Sequence, residues 1–152
     1  MEIRRYEKQD QQQVWNLHVL AIKAVSDYLY VSGAWENDLL DIPKNYLDSG
    51  GEFLVAELNG QIIAMGAFRK ITDSLAEIKR MRVHPDFWRQ GFGQTILTRL
   101  ERIAREKGYT TLTLDTTIHQ AAAQALYIRN NYQEKRREKR GTFDLIFYEK
   151  RL

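Results

Sequence analysis

Residues 83–94 are of the types, and in the order, that bind an anion. An apolar strand ending at Val83 leads through a loop that contains Gly91 and Gly93 into an amphipathic helix. The first backbone N–H groups of a helix lack partners within the helix and carry the positive end of its dipole, so a bound phosphate satisfies both. Glycine has no Cβ, which lets an anion approach the backbone closely. The segment therefore predicts a phosphate-binding loop, with an ordinary glycine turn before a helix as the alternative.

Two common nucleotide-binding motifs do not fit this loop. The dinucleotide fingerprint requires a third glycine, whereas Thr95 and Ile96 follow Gly93 without one. A nucleoside-triphosphate loop requires Gly-Lys-Ser or Gly-Lys-Thr at the start of the helix, and that tripeptide does not occur in the sequence. The anion is therefore expected to be held mainly by the backbone.

The side chains that could hold a metal or form a covalent intermediate are few. The chain has no cysteine, which excludes disulfides, cysteine-ligated metals and a cysteine nucleophile. Its three histidines, His18, His84 and His119, are far apart in the sequence. Scattered histidines do not make a metal site, so we expect no metal.

Periodic patterns predict the elements that position the loop. Apolar residues after the loop form one helical stripe, which ends before Gly108. Asn59-Gly60 is a strong hairpin signal, and Asp10 with Gln13 resembles a capping box that opens a first helix. The predicted order is β-α-(α)-β-β-β-α-β-α-β-β, with strands at Glu2–Tyr6, Glu52–Leu58, Gln61–Ile71, Leu75–Val83, Tyr109–Thr116, 131–139 and 142–151, and a second short helix at Gln120–Asn130.

One of these strands has an irregular apolar pattern. Ile78 and Met81 are three residues apart, so strict alternation would place them on opposite faces of the sheet. One inserted residue would bring them to the same face. We therefore predict a β-bulge between Ile78 and Val83, directly before the phosphate loop.

Composition limits the class of protein. With 152 residues, 43% of them hydrophobic, the chain has the size of one globular domain spanning 1–152. It has no apolar run long enough for a membrane span and no signal-peptide pattern at its start, so a cytoplasmic location without membrane attachment is expected. The net charge is +3, and the most basic run, residues 134–140, mixes both signs. Mixed charge favours a solvated strand over a nucleic-acid-binding arm, which would use Arg136, Arg137, Lys139 and Arg140.

Two motifs together resemble the GCN5-related N-acetyltransferase (GNAT) superfamily. Gly91 and Gly93 match the family's phosphate loop, Q/R-x-x-G-x-G/A, with Trp88 in place of the usual Gln or Arg. The second signature, N-x-x-A-x-x-L-Y followed by glycine and an aromatic residue, is matched by Ala122, Leu126, Tyr127 and Tyr132, with Gln120 replacing Asn and Asn131 replacing Gly.

The resemblance implies a fold and a ligand. The fold would be α/β (α+β), a mixed, mostly antiparallel sheet of six to seven strands with about four flanking helices and a bulged central strand. The ligand would be acetyl-coenzyme A, with the diphosphate on the loop amides and the pantetheine arm paired with backbone of the bulged strand. The implied cofactor-binding residues are Met81, Arg82, Val83, Arg89, Gln90, Gly91, Phe92, Gly93, Gln94, Gln120 and Tyr127.

The same resemblance implies catalytic roles. Tyr127 would protonate the departing thiolate, and a backbone N–H near Met81 would stabilise the oxyanion. An amine acceptor arrives as an ammonium group and must lose a proton before it attacks, for which Glu77 is the leading candidate base and Asp115 the second. The alternatives are that Tyr127 is a core tyrosine and that Glu77 is a solvent-facing sheet residue.

The acceptor and the assembly are less well defined. Acids and aromatics between residues 26 and 41 could hold a cationic amine through charge and cation–π contacts, with Tyr28, Tyr30, Trp35 and Glu36 as candidates. Relatives commonly pair through their C-terminal strands, so a homodimer is possible. Besides an N-acetyltransferase, a catalytically idle acyl-CoA-binding module on the same fold and a small nucleic-acid-binding domain are the alternative functions.

Overall fold

The computed structural model describes residues 1–25 and 30–152. Within these ranges, four α-helices and short 3-10 turns accompany seven strands. The helices are α1 (Gln11–Val25), α2 (Ile42–Asn45), α3 (Phe92–Glu106) and α4 (Ala121–Arg129), and the strands are β1 (Glu2–Arg5), β2 (Glu52–Leu58), β3 (Gln61–Lys70), β4 (Leu75–Val83), β5 (Thr111–Thr117), β6 (Gln133–Arg140) and β7 (Phe143–Arg151).

The seven strands form one mixed sheet in the order β1-β2-β3-β4-β5-β7-β6. Every neighbouring pair is antiparallel except β4 and β5, which run parallel at the centre. The connection between these two strands contains α3, as a parallel crossover requires. The predicted fold class, a mostly antiparallel sheet with flanking helices and an irregular central strand, is confirmed.

The predicted bulge is present in β4. Met65 of β3 lies opposite Arg82, but Ala67 lies opposite Lys79, so β4 contains one extra residue over this interval. Arg80 absorbs the irregularity by adopting a left-handed backbone conformation with φ of 58°. As the apolar spacing predicts, Ile78 and Met81 then contact the same core cluster.

The parallel strands β4 and β5 separate after a short contact. They pair only from Leu75 opposite Thr111 to Glu77 opposite Thr113. Beyond that point β4 pairs only with β3, and β5 only with β7. The gap between residues 78–83 of β4 and 114–117 of β5 is called the wedge below. It exposes one edge of each strand in the middle of the sheet.

The two faces of the sheet carry separate cores. On one face, α3 packs through Ile96, Leu97 and Leu100 against a cluster that also includes Tyr127. On the other face, Val14 and Leu17 of α1 pack against Phe53 and neighbouring strand residues. In the described part of the chain, no helix is both long enough and apolar enough to cross a bilayer.

Candidate active site

The phosphate loop ends in the conformation that glycine favours. Gly91 is the N-cap of α3 with φ of 85°, and open space surrounds the position that a Cβ would take there. Among the described residues, the backbone N–H groups of residues 89–94 donate no hydrogen bond. Several adjacent donors are therefore free at the positive end of a fifteen-residue helix.

The other loop residues contribute differently. Arg89 also has a left-handed backbone, with φ of 62°, and its side chain is exposed, as is that of Gln90. Gln94 exchanges two hydrogen bonds of 2.8 Å with Asn130 at the end of α4. The Gln94 side chain therefore ties α3 to α4, whereas its backbone N–H stays free.

Side chains occupy the free backbone edge of β4. Because the His84 N–H bonds to Ile63 of β3, strand alternation turns the backbone groups of Val83 away from β3 and into the wedge. The Val83 carbonyl accepts a 2.9 Å hydrogen bond from the Trp88 indole, and the Met81 carbonyl accepts one of 2.9 Å from Arg82 Nη1. This role of Trp88 is not evident from the sequence.

Tyr127 is buried on α4 beside the wedge, with 5% of its surface exposed. Its ring packs edge-on against Tyr132 at 5.6 Å and tilted against Tyr148 at 6.3 Å. Within the described residues its hydroxyl makes no hydrogen bond. Burial raises the pKa of the phenol, an effect that the positive charge of Arg82 opposes. At neutral pH the phenol is protonated and can act as a donor.

The two candidate bases lie on adjacent strands. Glu77 lies opposite Thr113 of β5, and Asp115 follows two residues later on the same face as Thr113. Glu77 Oε1 is paired with Arg69 Nε at 2.7 Å. Asp115 makes no ion pair among the described residues. Partial loss of hydration and the negative charge of Glu77 raise the pKa of Asp115.

Gln120 acts within the turn that begins α4. Its Oε1 accepts hydrogen bonds from Thr116 Oγ1 at 2.9 Å and from the Thr117 N–H at 3.2 Å. The residue is the N-cap of α4. The Gln120 side chain therefore fixes the start of α4, the helix that carries Tyr127 to the wedge, in addition to any contact with a ligand.

The predicted acceptor residues only partly come together. Tyr28 lies outside the described residues. The rings of Tyr30 and Trp35 lie 6.3 and 5.3 Å from that of His18 on α1, so these aromatics form one group. Glu36 is 2% exposed, and its Oε1 is 2.9 Å from His18 Nε2. Its carboxylate is therefore engaged inside the protein.

His18 is itself fully buried in this group. Burial, together with the positive charge of Arg82, lowers the pKa of His18 to about 4. The imidazole is therefore neutral at neutral pH, and it hydrogen-bonds Glu36 rather than neutralising it. Sequence alone gave no sign of this pair, because its members are 18 residues apart on different elements.

Arg80 forms a buried ion pair nearby. Its Nε donates to Asp38 Oδ2 at 3.0 Å, and its Nη2 donates to the Trp35 carbonyl at 2.6 Å. Tyr46 also donates to the Asp38 carboxylate, and the Arg80 guanidinium lies 5.2 Å from the centre of the Trp35 ring. The bulge residue thereby anchors the 3-10 turn at Ala34–Leu40 beside the wedge.

Comparison with known proteins identifies the family. The model of the acetyltransferase (GNAT) family matches residues 14–132. The chain belongs to this family of acetyltransferases. Over 110 residues, or 69% of the chain, it is 29% identical to N-acetyltransferase 8F1 of Rattus norvegicus. That match covers 50% of the rat protein, so the chain spans about half the length of the curated relatives it matches.

Solved structures share the fold over nearly the full chain. An acetyltransferase of the GNAT family from Staphylococcus aureus superposes with a TM-score of 0.88 at 22% identity, covering 99% of this chain and 98% of that one. The PaiA N-acetyltransferase of Thermoplasma acidophilum, solved in complex with coenzyme A, gives a TM-score of 0.81 at 19% identity, with coverage of 99% and 98%. At these identities the likeness concerns the fold.

Proposed function

We propose that the protein transfers the acetyl group of acetyl-CoA directly to a primary amine of a small molecule or peptide, with both substrates bound at once. The observation that carries this proposal is the continuity of the site. A row of free loop amides lies at the start of α3, and Gly93 in that row lies beside the side chains of Val83 on β4 and of Leu126, which precedes Tyr127 on α4. A linear ligand with an anionic end and a reactive end matches that arrangement.

The described residues fit coenzyme A at both ends. The free N–H groups of residues 89–94 suit a diphosphate, and Gly91 leaves the space that the phosphates would need. The free edge of β4 suits the two amides of a pantetheine arm, which would add to it as a strand does. For that pairing, the Trp88 indole must leave the Val83 carbonyl.

The thioester supplies an activated acetyl carbonyl. The amine nitrogen must first lose a proton, and we propose that Asp115 accepts it, directly or through water. Its raised pKa and its freedom from ion pairs support this role over that of Glu77, which Arg69 holds. Glu77 then acts mainly by keeping the pKa of Asp115 high.

The remaining proton transfer involves Tyr127. As the C–N bond forms, the nitrogen releases its second proton to solvent, and as the C–S bond breaks, the leaving thiolate takes the phenolic proton. The free hydroxyl and its raised pKa support a protonated phenol at the wedge. Transfer from such a phenol is favourable only when coupled to C–S cleavage, because the thiol is the stronger acid. The phenolate is then reprotonated from solvent.

Release of free thiol from acetyl-CoA over a panel of amines tests the proposal. Calorimetry with coenzyme A measures cofactor binding separately. Turnover with at least one amine supports the enzyme. Binding of coenzyme A without turnover on any amine would instead favour the catalytically idle module, and no binding at all would refute both.

A further inference from the structure

Arg82 lies on the α1 face of the sheet, at the wedge. Met81, its neighbour, packs with Ile96 and Leu100 around Gly66 on the α3 face. Strand alternation puts the Arg82 side chain on the opposite face. There its charge acts on both His18 of α1 and Tyr127. Arg80, two residues earlier on β4, lies 5.2 Å from the centre of the Trp35 ring, so Arg82 lies on the face of the sheet that carries the acceptor group of aromatics.

The charge of Arg82 has no anionic partner. Among the described residues it makes no ion pair, and its one side-chain hydrogen bond goes to the Met81 carbonyl. Its Nε is buried and has no hydrogen-bond partner. Arg80, two residues earlier, is by contrast saturated by Asp38 and the Trp35 carbonyl. A buried, unsatisfied guanidinium donor is costly unless a ligand satisfies it.

The nearby carboxylates are already engaged. Asp38 accepts from Arg80 and Tyr46, and Glu36 is bound to His18. The acidic residues between 26 and 41 that the structure describes therefore offer little free negative charge to a cationic acceptor. Arg82 adds to this region a positive charge that no described carboxylate pairs with.

We propose that Arg82 binds a carboxylate of the acceptor, so that the substrate is an amine carrying a carboxylate close to its nitrogen, as in an α-amino acid. This inference rests on the proposed function and names the substrate class of the same site. A planar guanidinium matches a carboxylate through paired hydrogen bonds. In an α-amino acid the amine is then held within a few bonds of Arg82, next to Tyr127, and the side chain faces the aromatic group.

Matched acceptors test the carboxylate directly. Phenylalanine, phenylalaninamide and phenethylamine share one side chain and differ in the group that Arg82 would bind, and a leucine series repeats the comparison. We expect the wild type to use the amino acid at least about tenfold better in kcat/KM than the amide, since the neutral amide cannot form the charged hydrogen bonds that a carboxylate forms with a guanidinium.

Substitution of Arg82 should remove that preference. In Arg82→Gln, kcat/KM for the amino acid should fall at least about tenfold, chiefly through KM, so that acid and amide converge. The preference of Arg82→Lys for the acid should lie between those of the wild type and Arg82→Gln, because lysine keeps the positive charge but cannot form the paired hydrogen bonds of a guanidinium. Arg102→Gln, an exposed arginine of α3, is the matched control and should preserve the wild-type preference.

The outcomes separate this inference from the proposed function. Equal use of acid and amide by the wild type, with thiol release from both, would overturn the carboxylate site and uphold the transferase. If no amine is acetylated although coenzyme A binds, the transferase fails. Thermal stabilisation of the coenzyme A complex by phenylalanine but not by its amide would then still support the carboxylate site, and its absence would refute it. If Arg82→Gln does not fold, the wild-type comparison remains decisive.

Discussion

The polar side chains in and around the wedge are of two kinds: some have no hydrogen-bond or ion-pair partner in the described part of the chain, and others are already bound to a neighbour. The Tyr127 hydroxyl, the Asp115 carboxylate and the Arg82 Nε are free among the described residues, whereas Glu77 and Glu36 are held by Arg69 and His18. Catalysis and binding need groups that are not already satisfied. Replacing one of these free groups should therefore change activity more than it changes stability.

Removing the Tyr127 hydroxyl should slow the chemistry and leave the fold intact. Tyr127→Phe keeps the ring that packs on Tyr132 and Tyr148. We expect kcat to fall by roughly 10²–10⁴, the usual contribution of a general acid. Thiol release measures the rate, and calorimetry with coenzyme A should give an affinity close to that of the wild type. A loss below threefold would mean that Tyr127 is only a core residue.

The two carboxylates can be distinguished by their pH profiles. Because the pKa of Asp115 is raised, the base becomes protonated, and kcat/KM falls, as the pH is lowered through that pKa. Asp115→Asn should lower kcat/KM by about 10²-fold or more. Glu77→Gln should retain more activity and move the acidic limb to lower pH, since burial still raises the pKa of Asp115 but the added effect of the Glu77 charge is gone. The reverse order of losses would make Glu77 the base.

The sequence predicted some residues of the site and missed others for a physical reason. Tyr127 and the loop glycines belong to short motifs whose members lie close in the chain. The partners of Glu36 and Arg80, by contrast, come from distant segments, His18 and Asp38. Such pairings depend on the folded arrangement of α1 and β4, which no local pattern encodes.

The spacing of apolar residues predicted several helices and strands correctly. The predicted bounds of β2 and β4 agree with the structure, and the mismatch between Ile78 and Met81 located the bulge. The capping box at the first helix was wrong, because Asp10 instead accepts from the Glu7 N–H at 2.8 Å and from Arg4. The ion pair with Arg4 on β1 holds the Asp10 carboxylate near the Glu7 N–H, so it does not cap the first turn of α1.

Two glycines allow the loop to be tested against a matched control. Gly91 and Gly60 have φ of 85° and 81°, and open space surrounds both. Gly91→Ala and Gly60→Ala should each cost about 1 kcal/mol of unfolding free energy, since alanine disfavours this conformation. Only Gly91→Ala should weaken coenzyme A binding, by about tenfold or more by calorimetry. Equal affinities in both variants would remove the loop from the binding site.

For the whole molecule, the buried His18 makes stability depend on pH. The pKa of His18 is about 4 in the folded protein and near 6.5 in the unfolded chain, so the unfolded state binds more protons between these values. Stability should therefore fall as the pH drops from 6.5 towards 4, with His18 contributing roughly 1–3 kcal/mol. His18→Gln should show a shallower fall in urea melts over this window, and an unchanged slope would contradict the assignment.

The basic strand β6 fits a solvated surface at this scale. Arg137 and Arg140 pair with Glu134 and Glu138 at 2.9 Å each, and Arg136 lies 3.7 Å from the centre of the Phe147 ring. Charges engaged in this way have less to offer a polynucleotide. That the protein does not bind nucleic acid stays a prediction.

The wedge also leaves the two halves of the sheet joined by few strand contacts. Only three residue pairs join β4 to β5, so the sheet consists of two blocks, β1–β4 and β5–β7, with a weak seam. A molecule that bridges the seam would act as the missing strand and resist its opening. Hydrogen exchange at the seam should then slow in proportion to ligand occupancy, and the folded lifetime of the protein would follow the supply of that ligand.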